Sequence, residues 1–185
     1  MLTGQRNRKW KKLKSDFIGQ IEHHGYLYND WHIAMVLAAC GTQEEKETYF
    51  RTLREFTTIT QDENQMTSDS SFGELASFCD FKNNYLKHLN KEIAFDVFNS
   101  IFYYNSGDYE KVVELLYPIR YKLNLIGGSN AQTDVFNQML IQSALKSSLP
   151  LHNKAGLALA NERLASRSNS NITKRMVAKF YEEND

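Results

Sequence analysis

Residues 93–119, IAFDVFNSIFYYNSGDYEKVVELLYPI, decide the fold. Ile93 to Tyr104 is apolar on almost every side, the pattern of a helix buried between neighbours. Ser106-Gly107-Asp108 then turns the chain. Beyond it Tyr109, Val112, Val113, Leu116 and Ile119 recur at steps of three and four, the single stripe of an amphipathic helix. Pro118 sits late in that helix and should kink or end it. Two helices joined by so short a connection lie antiparallel. The unit is helix, glycine turn, helix.

Working outward, the same unit recurs upstream. Asn29 or Asp30 is expected to cap a very apolar helix, Trp31 to Ala39, that Gly41 ends. Thr42-Gln43-Glu44-Glu45 has the spacing of a capping box and opens a helix with the stripe Tyr49, Phe50, Leu53 and Phe56. Before these, Trp10, Leu13, Phe17 and Ile21 form the stripe of a first helix, Arg6 to Ile21. Its other faces carry Arg6, Arg8, Lys9, Lys11, Lys12 and Lys14. Downstream, Gly127-Gly128 stops the chain, and Ser129 with Gln132 has capping-box spacing at the head of a helix to Lys146. Val135, Phe136, Met139 and Leu140 are expected to point inward from it. Pro150 marks the break before Leu151 to Ala165. After the polar stretch Ser166 to Ser170, Ile172, Met176, Val177 and Phe180 give a short last helix.

No segment reads as a strand, and 2 prolines with 9 glycines in 185 residues is poor punctuation for an all-β chain. The expected fold is all-α, antiparallel helix pairs stacked as a TPR-like right-handed alpha solenoid. Its parts are a helical-pair segment (1–60), a polar linker loop (61–71) and a repeat segment with a C-terminal capping helix (72–185), together one continuous helical domain.

Lys plus Arg equals Asp plus Glu, 22 each, so the chain lacks the basic excess of a dedicated nucleic-acid binder. With 42% apolar and 12% aromatic residues the composition is globular. Cys40 and Cys79 cannot staple a chain of this size and read as reduced thiols. No secretory signal and no run of 18 apolar residues is present, so the expectation is a cytoplasmic protein that does not enter membranes.

Ser100, Tyr103, Gly107, Tyr109, Val112 and Leu116 lie at the spacing of the small, aromatic, glycine, aromatic, small and large apolar positions of the tetratricopeptide motif. Val112 replaces the usual alanine, and Asn124 stands where proline usually follows. Gly41 and Gly107 are separated by roughly two 34-residue tetratricopeptide periods. The stretch GDYEKVVELLYPIRY (107–121) running into IGGSNAQTDVFNQ (126–138) resembles the C-terminal half of the tetratricopeptide repeat protein 38 family, and Tyr28-Asn29-Asp30-Trp31-His32 is similar to a Phe-Asn-Asp-x-His segment of that family. The resemblance spans about residues 8 to 183 and is strongest from 107 to 145. Thr133 departs from it, standing where the family usually carries arginine. The resemblance implies a helical-repeat protein of which this chain is the C-terminal portion, and it implies no reaction.

Catalytic and metal patterns are weak. His23, His24 and His32 lack the four-residue spacing that puts two imidazoles on one helical face, and Cys40 lies about two turns from His32. His32 is expected to hydrogen-bond a neighbouring backbone group or Asp30. Asp62, Glu63, Asp69 and Glu74 lack the glycine an EF-hand loop needs. Ser143-Ala144-Leu145-Lys146 matches a nucleophile pattern without its partner motifs. No cofactor fingerprint or metal site is expected. The loop Gly127-Gly128-Ser129-Asn130-Ala131-Gln132 is the best candidate for a ligand: a diglycine feeding a helix start presents N–H groups suited to an anion, with Arg120 or Lys122 adding charge. Tyr103 and Tyr109 complete the candidate set.

The expected activity is protein binding, with a partner protein or peptide held in a concave groove. The N-terminal helix, if it lacks a neighbour, would expose Trp10 or Phe17 and drive self-association. The alternative is an enzyme or small-molecule binder whose site, at the diglycine loop, is shared with a missing N-terminal half.

Overall fold

The computed structural model describes residues 2–58 and 93–184, and every regular element among them is helical. The polar linker 61–71, Cys79 and the uncertain stretch 72–89 lie outside the described residues. The chain divides into two units, Met1–Phe98 and Asn99–Asp185, with the boundary inside one helix.

In the first unit, α1 (Leu2–Phe17) tightens into a 3-10 turn, Ile18–Gln20, and packs on α2 (Leu27–Cys40), which packs on α3 (Gln43–Thr58). Hydrophobic residues all round α2 explain its burial: Leu27, Trp31, Ile33, Ala34, Val36 and Leu37 are all inside. Trp10, Phe17 and Ile21 of the first stripe are half-buried, while Leu13 is exposed. The Thr42–Glu45 capping box forms: the Glu45 N–H donates to Thr42 Oγ1 at 3.2 Å, and the Thr42 N–H to Glu45 Oε2 at 2.6 Å. Gly41 ends α2 in extended backbone, and it is glycine for want of room. A Cβ there would lie 2.7 Å from the Leu37 carbonyl oxygen.

One expectation fails here. Neither Asn29 nor Asp30 caps α2. The helix starts a turn earlier, after an extended Tyr26 with no side-chain cap. Asp30 is fully buried and faces His24, whose Nδ1 lies 2.7 Å from Asp30 Oδ1. His32 turns to backbone, its Nδ1 2.7 Å from the Tyr28 carbonyl.

α4 (Phe95–Ser106) crosses the boundary between the units. Gly107, at φ +85°, reverses the chain, and Asp108 caps α5 (Tyr109–Ile119) by accepting from the Lys111 N–H at 3.2 Å. After Pro118 the α-helix ends as expected, and a 3-10 segment, Arg120–Ile126, leads to Gly127 and Gly128, both at positive φ. α6 (Asn130–Lys146), α7 (Pro150–Ser166) and α8 (Asn171–Asn184) follow, with Pro150 at the first turn of α7. α6 is the central element of this unit, packing against α5, the 3-10 segment, α7 and α8. Phe136, Met139 and Leu140 are buried as expected, whereas Val135 is 42% exposed. Met176, Val177 and Phe180 of α8 close over Ile141, Leu145 and Ala160, and Ile172 stays outside. Among the described residues no helix is long and apolar enough to cross a membrane.

Candidate functional site

The second unit holds a cleft of about 340 Å³ between the 3-10 segment, one face of α6 and the C-terminal half of α7. Its formation follows from local sequence. Pro118 has no N–H and cannot continue the α-helical ladder. The chain therefore leaves α5 as a 3-10 segment and turns at the two positive-φ glycines. It then re-enters helix through a full capping box: Ser129 Oγ accepts from the Gln132 N–H at 3.4 Å, and the Ser129 N–H donates to Gln132 Oε1 at 2.8 Å. Arg120 and Asn124 are thereby held opposite Asn130, Thr133 and Asn137 of α6. Leu123, Leu140 and Ile141 form an apolar floor.

An ion pair closes one side. Arg163 of α7 donates from Nε to Asp134 Oδ1 at 3.1 Å and from Nη2 to Oδ2 at 2.5 Å, both side chains being under a tenth exposed. Its Nη1 donates to Ser170 and Thr173 at the start of α8, and Arg167 reaches Asp134 Oδ2 at 3.1 Å. Burial alone would raise the Asp134 pKa, but hydrogen bonds from Arg163 and Gln138, with the two guanidinium charges, outweigh it and hold it below the usual carboxylate value. Opposite, Tyr121 donates to Glu162 Oε2 at 3.2 Å. Arg120 lies over the rings of Tyr117 and Tyr121, 4.1 and 4.4 Å from their centroids, and donates from Nη1 to the Tyr117 carbonyl at 2.6 Å. The side-chain amides of Asn124, Asn130 and Asn137 make no hydrogen bond among the described residues.

Of the residues singled out from sequence, Arg120 and Asn130 line this cleft. Gly127, Gly128, Ser129 and Gln132 build the turn and cap that shape it and are not part of its lining. Tyr103 and Tyr109 lie elsewhere. Tyr103 is exposed, and the Tyr109 hydroxyl accepts from Lys146 Nζ at 3.2 Å while its ring meets Tyr104. Sequence reasoning missed Asn137, Asp134, Arg163 and Arg167. The recurrence of Asn130, Thr133 and Asn137 along one face of α6 was a readable signal, but the partnership of Asp134 with Arg163 was not.

A second polar cluster lies in the first unit. His24 Nε2 is 2.8 Å from Thr52 Oγ1, so Thr52, His24 and Asp30 stand in the order of a hydrolase triad. The Thr52 hydroxyl, however, donates to the Thr48 carbonyl at 2.9 Å. The ring must donate to it, and so cannot serve as its base. Burial raises the Asp30 pKa, against the hydrogen bond and charge of His24. This cluster ties the loop before α2 to α3.

No protein-family model matches the chain, and no solved structure matches it.

Proposed function

We propose that the chain is a helical-repeat interaction module of the tetratricopeptide kind, cytoplasmic, whose helix pairs stack as a solenoid and which binds an extended segment of a partner protein in the cleft of its second unit. The observation that carries this reading is the set of three amides, Asn124, Asn130 and Asn137, around an apolar floor. Each amide offers both a donor and an acceptor, the complement of a peptide backbone, and an apolar side chain of the bound segment would fill the floor. Helix, glycine turn, helix at Gly107 and the packing of α6 on both its neighbours in sequence support the repeat, as does the resemblance to the tetratricopeptide repeat protein 38 family. The alternative, an enzymatic or metabolite site at the diglycine loop, loses ground because the Ser129 N–H and hydroxyl are taken by the Gln132 cap.

Affinity capture with the purified chain tests the reading when run beside the Asn130→Ala, Asn137→Ala double variant. Partner proteins held by the chain and lost from the variant support it. A co-purifying metabolite with no reproducible protein partner overturns it.

A further inference from the structure

The charges of the cleft do not balance. Arg163 and Arg167 are both engaged with Asp134, and Glu162 takes the Tyr121 hydroxyl. Arg120 has no carboxylate partner among the described residues, and with three guanidiniums against the two carboxylates of Asp134 and Glu162 the lining carries one surplus positive charge.

That cation is also prearranged. The rings of Tyr117 and Tyr121 lie against its guanidinium plane, and the Tyr117 carbonyl holds Nη1. A stacked, hydrogen-bonded guanidinium has already given up most of its side-chain freedom, so little more is lost when it takes a ligand. Its Nε is closed to solvent, whereas Nη2 donates to no group among the described residues. Nη2 is therefore the nitrogen left to donate, and a carboxylate oxygen accepts from it in a charge-assisted hydrogen bond.

We propose that the cleft selects an acidic peptide segment, with Arg120 receiving the carboxylate of an Asp or Glu side chain while Asn124, Asn130 and Asn137 hold the adjoining backbone. The proposal rests on the peptide-binding reading above. The charge count favours a carboxylate over a phosphate. A single uncompensated cation matches a single negative charge, whereas a dianion would remain half-neutralised beside Glu162.

The test uses the full chain and fluorescence polarisation with a labelled short peptide alternating Glu and Ser, beside the same peptide with Gln for Glu. The acidic peptide is expected to bind at least about tenfold more tightly, the difference made by one charge-assisted pair. Arg120→Gln should abolish the difference between the two peptides. Arg120→Lys should restore part of the difference, and circular dichroism confirms that each variant is folded. Added salt should weaken the acidic peptide selectively. Equal binding of both peptides, with no effect of Arg120→Gln, overturns acidic selection and leaves the peptide reading standing. Failure of both peptides to bind overturns the two together. Tighter binding of a phosphoserine peptide than of the Glu peptide overturns the choice of carboxylate.

Discussion

Replacing Arg163 with alanine removes a buried guanidinium that joins α6, α7 and the start of α8. All three of its nitrogens are engaged, and Asp134 is left behind under a tenth exposed. Loss of one partner from a buried ion pair costs about 3–5 kcal/mol. Arg167 and Gln138 remain on Asp134, so the lower end of that range, about 3 kcal/mol, is the expected loss. With a urea slope of about 2 kcal/mol per molar, the midpoint of the second unit falls by about 1.5 M. The two tryptophans, Trp10 and Trp31, both belong to the first unit, so they offer an internal control. Circular dichroism should show the early loss of helix, while the tryptophan transition is much less affected if the units unfold independently. Replacing both partners with apolar residues, Arg163→Met with Asp134→Leu, should recover much of the loss, because no buried charge is then stranded. A shift under about 0.3 M in Arg163→Ala refutes the reasoning, since it would mean that the pair is bathed in water.

Two further perturbations address other contacts. Glu110 is held at about 2, chiefly by the N–H of Ser148 at 2.6 Å, with the Ser147 hydroxyl adding to it. Its folded pKa is depressed, so the stability it lends is fully present above the unfolded value of ~4.3 and drains away as pH falls through about 2. An acid titration followed by circular dichroism should show that limb, and Glu110→Gln should flatten it. His24→Ala strands Asp30, 0% exposed, without its ring partner. It should lower the stability of the first unit by about 3 kcal/mol and shift the tryptophan fluorescence transition.

What the sequence made legible was local. Period-3.6 stripes, the glycine turn at Gly107, the proline end at Pro118 and both capping boxes are short-range features, and each depends on residues within a turn or two of one another. Pairing across distance was not legible. Asp30 reads as a cap because an acidic residue before an apolar run usually is one. Its actual partner, His24, lies on the far side of the Gly25 bend, and nothing in the spacing marks it. Val135 reads as inward because it continues a stripe with Phe136 and Met139. α6 is covered from so many directions that its apolar face is nearly continuous, and periodicity cannot then identify the one uncovered strip. The cleft was legible only at Arg120 and Asn130. Its ion pair joins Asp134 to a residue a helix away, and its shape depends on where a 3-10 segment happens to lead.

The central position of α6 has a consequence for how freely the chain accepts change. Along α3, among the described side chains, only Tyr49 and Leu53 are fully enclosed, so substitutions there should be accepted on most faces, with intolerance returning about once per turn. Along α6 the pattern inverts. Thr133, Asp134, Phe136, Met139, Leu140, Ile141, Ser143, Ala144 and Leu145 are all buried, leaving Asn130, Ala131, Val135 and Lys146 as open positions. Random mutagenesis of the whole gene should therefore find α6 nearly impermeable and α3 a ladder of permissive rungs, so neutral drift would rewrite α3 long before it touched the helix on which the second unit is built.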